Sequence, residues 1–199
     1  QLAQVENLPL GVERAVAYSL SVLHPRNEAG ISGAVQLYIK SLQQLAERQR
    51  EQRASALYRL TRELASASDF PQLLSGAIRE VGTAFDADVA VLLPDPEANQ
   101  KLTPYPAGSW VLEEKEEGVA AWAFQHDQPA GRFTDTLPQA AALHLPLSAG
   151  WKPSGVLALR FHASRPLSFQ QRNLLDSFVR QIALVIDRQR LRDAETTAK

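Results

Sequence analysis

The chain has 199 residues, of which 45% are hydrophobic and 22% are charged, an ordinary globular composition. Its 21 basic and 22 acidic residues leave a net charge of −1, which excludes a global basic field for nucleic acid. It has no cysteine, so disulfides, thiolate catalysis and cysteine-ligated metal sites are excluded.

The start of the chain contains no recognisable chemistry, and residues 1–31 are treated as an unplaced N-terminal segment. Methionine is also absent, so we interpret the chain as a fragment of a longer protein. The longest weakly polar run, residues 15–23, is too short to span a bilayer and lacks the features of a signal peptide. We therefore predict no direct membrane insertion of this fragment.

A long amphipathic helix is predicted for residues 32–67. Its apolar residues recur at three- and four-residue steps and are Val35, Tyr38, Leu42, Leu45, Leu57, Leu60 and Leu64. So narrow a stripe is typical of pairing with a second helix, and a solvated connector stiffened by Glu–Arg pairs is the alternative. The charged stretch 48–53 lacks interleaved aromatic residues, so it indicates a solvated face and no nucleic-acid contact.

Residues 68–164 are predicted to form a folded core, and residues 165–199 a C-terminal helix. The order of elements is helix, two strands, helix, two strands, helix, which indicates an α+β sandwich with a mainly antiparallel sheet. The signals for these elements are a helix start at Ser68 or Asp69, strands in ADVAVLLPD and KLTPYP, a helix from Glu113 or Glu114 to His126, strands in AALHLPLS and SGVLALRFH, and a capping box of Ser168 with Gln171.

No catalytic or metal site is predicted. The four histidines lack the short spacing of a helical or hairpin metal site, and His144 is expected to be a buried or edge histidine satisfied by backbone. The acidic run 113–117 is interpreted as favourable charge at a helix start. Nucleophile-elbow, Walker and Rossmann patterns are absent, so we predict no catalytic residue and no cofactor.

The stretch QPAGRFTDTLP, residues 128–138, interrupts a chain rich in helix formers. Its two prolines fix backbone angles, and Asp135, between Thr134 and Thr136, can hold neighbouring backbone N–H groups. Arg132 can face a ligand anion or pair with a local carboxylate. The stretch is a rigid structural turn, a lid over a small-molecule pocket, or a catalytic loop.

The sequence AWAFQHDQPAGRFTDTLP, followed by AALHLPL and GVLALRF, resembles the GAF domain of KdpD-type potassium-sensor histidine kinases. In that family a Trp-containing helix leads into an A-G-x-G-T-D-T-L-P loop and a strand that ends in Pro-Leu. The upstream REQRASALYRLTRELA is similar to the family's linker, so the resemblance covers residues from about 50 to 195. Phe133 replaces the second glycine of the loop, so either the loop differs locally or Phe133 has a packing role.

The resemblance implies a GAF-like antiparallel sheet of about six strands, with the long terminal helices together on one face. It also implies a cytoplasmic module of a bacterial inner-membrane sensor kinase. The module would relay signals from the membrane domain to the kinase core of the same parent chain, in a potassium or osmotic response. We expect a homodimer, and a charge at Ile182 is expected to abolish it. The candidate interface residues are Leu57, Leu60, Leu64, Phe178, Ile182 and Val185.

The alternative function is a small-molecule-binding GAF sensor, with an unknown ligand under the 128–138 loop. Its candidate ligand-binding residues are Trp122, His126, Arg132, Thr134, Asp135 and Thr136. Covalent bilin attachment and thiol chemistry are excluded without cysteine, and the cyclic-nucleotide pattern of other GAF domains is not visible. The phosphorylated-histidine motif of the kinase is also absent from the sequence, so we predict that this fragment is not an enzyme.

Overall fold

The computed structural model describes residues 28–66, 69–96, 98–108, 110–150 and 152–197. The chain divides into two units, Gln1–Arg53 and Ala54–Lys199. The unplaced N-terminal segment lies outside the described residues up to residue 27. The described elements are α1 (Glu28–Ser66), α2 (Phe70–Phe85), β1 (Ala87–Asp95), β2 (Lys101–Pro104), α3 (Glu114–His126), β3 (Ala130–Gly131), β4 (Leu143–Pro146), β5 (Val156–Phe161) and α4 (Phe169–Thr197).

Helices α2 and α4 begin at the caps that the sequence predicts. The Asp69 carboxylate accepts a hydrogen bond from the Gln72 N–H at 2.9 Å, and a proline occupies the first turn of α2, where no N–H partner is needed. Helix α2 ends at Asp86, whose left-handed φ of 50° stops the helix. At the start of α4 the Ser168 N–H donates to the Gln171 side chain at 3.0 Å, and the Gln171 N–H donates to the Ser168 hydroxyl at 3.2 Å.

The described strands form one sheet in the order β2-β1-β5-β4-β3, and every pairing is antiparallel. This confirms the α+β class with a mainly antiparallel sheet, although the described residues contain five strands where about six were expected. The central strands β1 and β5 pair from Ala87 opposite Phe161 to Leu92 opposite Val156. This register places Asp88 directly opposite Arg160 near one end of the sheet.

One face of the sheet carries the main hydrophobic core. Helices α2 and α4 pack there, together with the part of α1 that follows residue 54. Phe85 of α2 meets Phe178 of α4 edge to face, with ring centroids 5.6 Å apart. The last part of α1 and helix α4 therefore both belong to the core of this unit. Its completely or almost completely buried members include Leu60, Leu74, Val81, Val89, Leu157, Phe178, Ile182 and Ile186.

Helix α3 packs on the other face of the sheet, against the side chains that alternate with the core-facing ones. Ala120 of α3 is fully buried with Ala90 and Ala158, which precede and follow core-facing residues on β1 and β5. Small side chains at these three positions allow the helix to lie close to the sheet. Trp110 and Phe124 are partly buried against this cluster. Helix α3 thus presents its C-terminal end, and the loop that follows it, to the edge strand β3.

Candidate functional site

The stretch 128–138 folds as a tight turn with its own hydrogen bonds. The Gly131 N–H donates to the Thr136 carbonyl oxygen at 2.7 Å, and the Thr134 hydroxyl lies 2.7 Å from the carbonyl oxygens of both residues. The Thr136 N–H also donates to that hydroxyl at 3.2 Å. The threonine hydroxyl therefore holds the turn, whereas Asp135, which was expected to do so, is exposed. These contacts support the interpretation of the stretch as a rigid turn.

Phe133 stands where the related loops have glycine, and it combines a left-handed backbone with a packing role. Its φ is 65°, in the left-handed region that favours glycine. Its ring is partly buried against the main core, with its centroid 5.8 Å from that of Phe161. The Arg132 guanidinium lies over the Phe133 ring, 4.8 Å from its centroid. Packing and the cation–π contact therefore offset a strained backbone.

A buried carboxylate and a buried histidine join α3 to the segment that leads into β4. Glu116 is 4% exposed and His144 is fully buried, and the Glu116 Oε2 lies 2.8 Å from the His144 Nε2. The same carboxylate accepts hydrogen bonds from the Ala141 N–H at 2.8 Å and the Ala142 N–H at 3.3 Å. Three donors thus satisfy one buried carboxylate, as a buried charge requires.

The hydrogen bonds determine which partner of the pair carries charge. Burial raises the pKa of Glu116, but the hydrogen bonds from His144 and from two backbone N–H groups outweigh it and hold that pKa below its usual value. Burial lowers the pKa of His144, and its bond to Glu116 offsets only part of this. His144 is therefore neutral and donates its Nε2–H to an ionised Glu116, while its buried Nδ1 has no hydrogen-bond partner within the described structure.

The sequence interpretation missed this pair. Glu116 was expected to be surface charge at a helix start, and His144 was expected to be satisfied by backbone. One signal was available, because Glu116 lies three, four and seven residues before Val119, Ala120 and Ala123, all of which are buried on α3. An acidic residue on the apolar stripe of a helix indicates a buried partner.

Charged residues also surround an open groove where β1 begins and β5 ends. The Arg160 Nη2 donates to the Asp88 Oδ2 at 2.7 Å, and its Nε donates to the same oxygen at 3.1 Å. The His162 ring lies between two carboxylates, 3.0 Å from Asp86 and 3.4 Å from Asp88. The hydrogen bond to Asp86, followed by that to Asp88, raises the pKa of His162. The groove is lined by Asp88, Arg132, Pro138, Gln139, Ala140, Ala141, Arg160, Phe161 and His162.

The six predicted ligand-binding residues lie on α3 and in the 128–138 turn, and their role in binding stays a prediction. Trp122 and His126 stack on each other one turn apart on α3, with ring centroids 4.1 Å apart, and the His126 Nδ1 lies 2.9 Å from the Trp122 carbonyl oxygen. Residues 134–136 form the turn itself, with Thr134 and Thr136 in its hydrogen bonds. Arg132 is the member of the set that lines the groove.

Three of the predicted interface residues lie in the core of the single chain. Leu60 and Phe178 are fully buried, and Ile182 is 1% exposed. These side chains already contact the sheet and the other helices of their own chain, so they present no surface to a second copy, and the prediction for them is corrected. Leu57, Leu64 and Val185 are partly buried, and their place in an interface stays a prediction.

The described residues contain no group of three or more His, Cys, Asp or Glu side chains that could hold a metal ion. Among the helices described, none is both long enough and apolar enough to cross a membrane. The buried Glu116–His144 pair is too enclosed for substrate contact, so its evident role is to join α3 to β4.

Comparison with known sequences places this geometry in a family. The family model for the GAF domain matches residues 69–188. The sensor protein KdpD of Escherichia coli strain K12 is 32% identical over 155 residues, which cover 76% of this chain and 17% of that protein. The KdpD sensor protein of Clostridium acetobutylicum is 27% identical over 157 residues, or 75% of this chain and 17% of that protein. The chain thus spans about one sixth of the length of these relatives.

Solved structures of similar fold agree with the sequence matches. The native GAF domain of the potassium sensor histidine kinase KdpD from Escherichia coli has a TM-score of 0.60 and 32% identity, covering 71% of this chain and 98% of that one. The GAF domain of an Acinetobacter phosphoenolpyruvate-protein phosphotransferase shares the fold, with a TM-score of 0.57 at 18% identity over 71% of this chain and 97% of that one. The chain therefore belongs to the GAF domain family and is related to the GAF domains of KdpD sensor histidine kinases.

Proposed function

We propose that this chain is the GAF module of a KdpD-like sensor histidine kinase, and that it pairs with a second copy to relay a potassium or osmotic signal. The observation that carries the proposal is the 32% identity to a KdpD GAF domain over 98% of that domain. In the parent protein, a cytoplasmic module of this kind lies between membrane input and the kinase core. Its partners are then those two parts of its own chain and the second copy.

An exposed apolar face on α4 supports pairing. Leu184 is 54% exposed and Leu191 is 67% exposed, and their seven-residue separation places them on one side of the helix. Ile182 and Ile186 lie on the opposite side and are buried in the core. Large exposed apolar residues that line up along a helix favour association, so Leu184 and Leu191 replace the buried residues as the proposed contact.

The same helix offers a route for the signal. One side of α4 is fixed to the core through Phe178 and Ile182, and the other side would contact the second copy through Leu184. A small rotation or slide of the paired helices would then change the position of the α4 end relative to its partner. The following segment of the parent chain would receive that change.

Sedimentation and native mass spectrometry of the purified chain test the pairing. We expect a dimer of bare chains, and we expect Leu184→Glu to weaken it about tenfold or more, because charges must be desolvated at an apolar contact. The matched control is Val111→Glu, which replaces an even more exposed apolar residue, 88% exposed, before α3. A wild-type chain that stays monomeric, or a Leu184→Glu dimer as tight as the control, would contradict the proposal.

The relay is tested separately in the full-length parent kinase. Leu184→Glu should reduce the response of autophosphorylation to potassium, while Val111→Glu should leave that response at the wild-type level. An unchanged response in a variant whose GAF pairing is lost would remove the relay role and leave only an oligomerisation module.

A further inference from the structure

We propose that the groove where β1 begins and β5 ends binds a small organic anion, with Arg132 as the residue that anchors its carboxylate or phosphate group. The proposal goes beyond the relay role and does not depend on it. It places the ligand beside the end of the 128–138 turn, between residues 138–141 and the strands.

The groove is shallow but large enough for a small molecule. Its volume is about 600 Å³, within the range of natural ligand clefts, and it opens to solvent. One wall is formed by residues 138–141, and the other by Asp88 of β1 and Arg160 of β5. The Glu116 hydrogen bonds to two backbone N–H groups hold the first wall in place. The groove is therefore built from positions that are already fixed without a ligand.

Arg132 is half-buried, and some of its N–H donors have no hydrogen-bond acceptor in the described structure. Its Nη1 donates to the Phe161 carbonyl oxygen at 3.3 Å, and its Nη2 donates to the Ala163 carbonyl oxygen at 3.5 Å. Both distances are at the long end for hydrogen bonds, and three of the five N–H donors of a guanidinium are not used by them. Within the described part of the chain, Arg132 has no carboxylate within ion-pair distance. A ligand carboxylate or phosphate would supply the missing partner in bidentate geometry.

Arg160, in the same groove, differs from Arg132 because its guanidinium is paired with a carboxylate. Its Nε and Nη2 both donate to Asp88, and its guanidinium lies over the Trp110 ring, 5.0 Å from the centroid. The single carboxylate that lines the groove is thus already paired. The lining carries two arginines against one aspartate, an excess of one positive charge before His162 is counted. Asp86 lies outside the lining but 3.0 Å from the His162 ring, so its carboxylate balances the charge of a protonated His162.

The other lining residues favour an organic body over a bare inorganic ion. Phe161 and Ala140 line the groove, but both are 6% exposed and belong to hydrophobic clusters, so the exposed Pro138 supplies the apolar surface. The Gln139 side chain is exposed at the edge and can hydrogen-bond a polar substituent. A ligand with one oxyanion group and a short aromatic or aliphatic part would match this combination.

NMR titration of the complete chain tests the site, with the arginine Nε–H signals as the readout. The probes are benzoate, phenyl phosphate and inorganic phosphate, each added at constant ionic strength set with sodium chloride. We expect the Arg132 Nε–H signal to shift to saturation with benzoate or phenyl phosphate, and whichever of the two binds more tightly identifies the anionic group. Shifts that rise linearly for every probe would overturn the proposal. Inorganic phosphate that binds as tightly as phenyl phosphate would overturn the organic class.

Substitutions separate ligand binding from a structural role of Arg132. Arg132→Gln should raise the apparent Kd about tenfold or more, and Arg132→Lys should raise it less, because lysine keeps the charge and loses the fork. Gln139→Glu keeps Arg132 and its carbonyl contacts but adds a negative charge to the rim, so it should also weaken binding. The control is Arg172→Gln, at an exposed position on α4. Binding that is unchanged in Gln139→Glu and in the folded Arg132 variants would overturn the assignment.

Discussion

The Glu116 carboxylate lies 2.8 Å from the His144 Nε2, and both side chains are buried where α3 meets β4. Glu116 also receives the N–H groups of Ala141 and Ala142, so one side chain on α3 fixes the segment that follows the 128–138 turn. The neutral histidine can donate to this carboxylate only through Nε2. Its Nδ1 then has no proton and, among the described residues, no hydrogen-bond partner. This arrangement makes the protonation of His144 costly in the folded protein.

The first prediction is a loss of stability on mild acidification. The pKa of His144 is lowered by folding, so its contribution is complete above the ordinary histidine value of 6.5 and is lost as the pH falls below it. The loss approaches at most about 1.4 kcal/mol per pH unit, the limit for one proton. Glu116, whose folded pKa is also lowered, adds a further loss below its ordinary value of 4.5. Urea denaturation between pH 7.5 and 5 measures the histidine part.

His144→Gln provides the comparison for this pH dependence. Glutamine can place an N–H donor near Glu116 and does not titrate, so the variant should lose less stability than the wild type between pH 6.5 and 5. His162 works in the opposite direction, because its pKa is raised and its contribution fades as the pH rises. Parallel stability profiles for wild type and His144→Gln would show that His144 is not the titrating group.

The second prediction concerns removal of the buried carboxylate. Glu116→Ala leaves the His144 Nε2–H and two backbone N–H groups without their acceptor, so it should lower the free energy of unfolding by about 3–5 kcal/mol. Glu114→Ala is the matched control, since Glu114 is exposed in the same helical turn. Its loss should be about 0.3–1 kcal/mol, the size of a helix-dipole effect. Equal losses in the two variants, measured by chemical denaturation, would contradict the role given to Glu116.

Local signals and long-range contacts differ in how far the sequence predicts them. The caps at Asp69 and at Ser168 follow from side chains within three residues of their partners, and the structure contains both. The pairing of Glu116 with His144 joins residues 28 positions apart, and it depends on where α3 crosses the sheet. Residue types alone do not supply that crossing.

For the terminal helices as well, the sequence does not predict which residues the apolar side chains contact. A stripe of leucines predicts that one side of a helix is covered, but it does not say whether the cover is the same chain or a second one. Leu60 and Ile182 are covered by their own chain. The groove was missed for a related reason, because Asp88 and Arg160 become neighbours only through the register of β1 and β5.

The third prediction isolates the backbone strain at Phe133. Both Phe133→Ala and Phe133→Gly remove the ring that packs against Phe161, so both should be less stable than the wild type. Glycine relieves the left-handed φ of 65° and alanine does not, so the glycine variant should be the more stable of the two by about 1 kcal/mol. Thermal and urea denaturation of the pair measure this difference.

Gly118 is the reference position at which alanine should be more stable than glycine. It lies exposed in α3, and beyond its chain neighbours and the nearby backbone of its own helix, a Cβ added there meets no described atom within 4 Å. Gly118→Ala should therefore stabilise the protein by up to about 1 kcal/mol, the usual helix preference for alanine. If alanine also proves better than glycine at position 133, the loop does not adopt the left-handed backbone at Phe133.

The last prediction distinguishes the core side of α4 from its exposed side. Ile182→Glu places a carboxylate among Phe178, Ile186 and other buried apolar residues and should cost more than about 4 kcal/mol. Circular dichroism should then show loss of the cooperative unfolding transition. Leu184→Glu, two residues further on and 54% exposed, should keep the transition within about 0.5 kcal/mol of the wild type and change only self-association. A folded but monomeric Ile182→Glu variant would instead return Ile182 to the interface, as the leucine stripe first indicated.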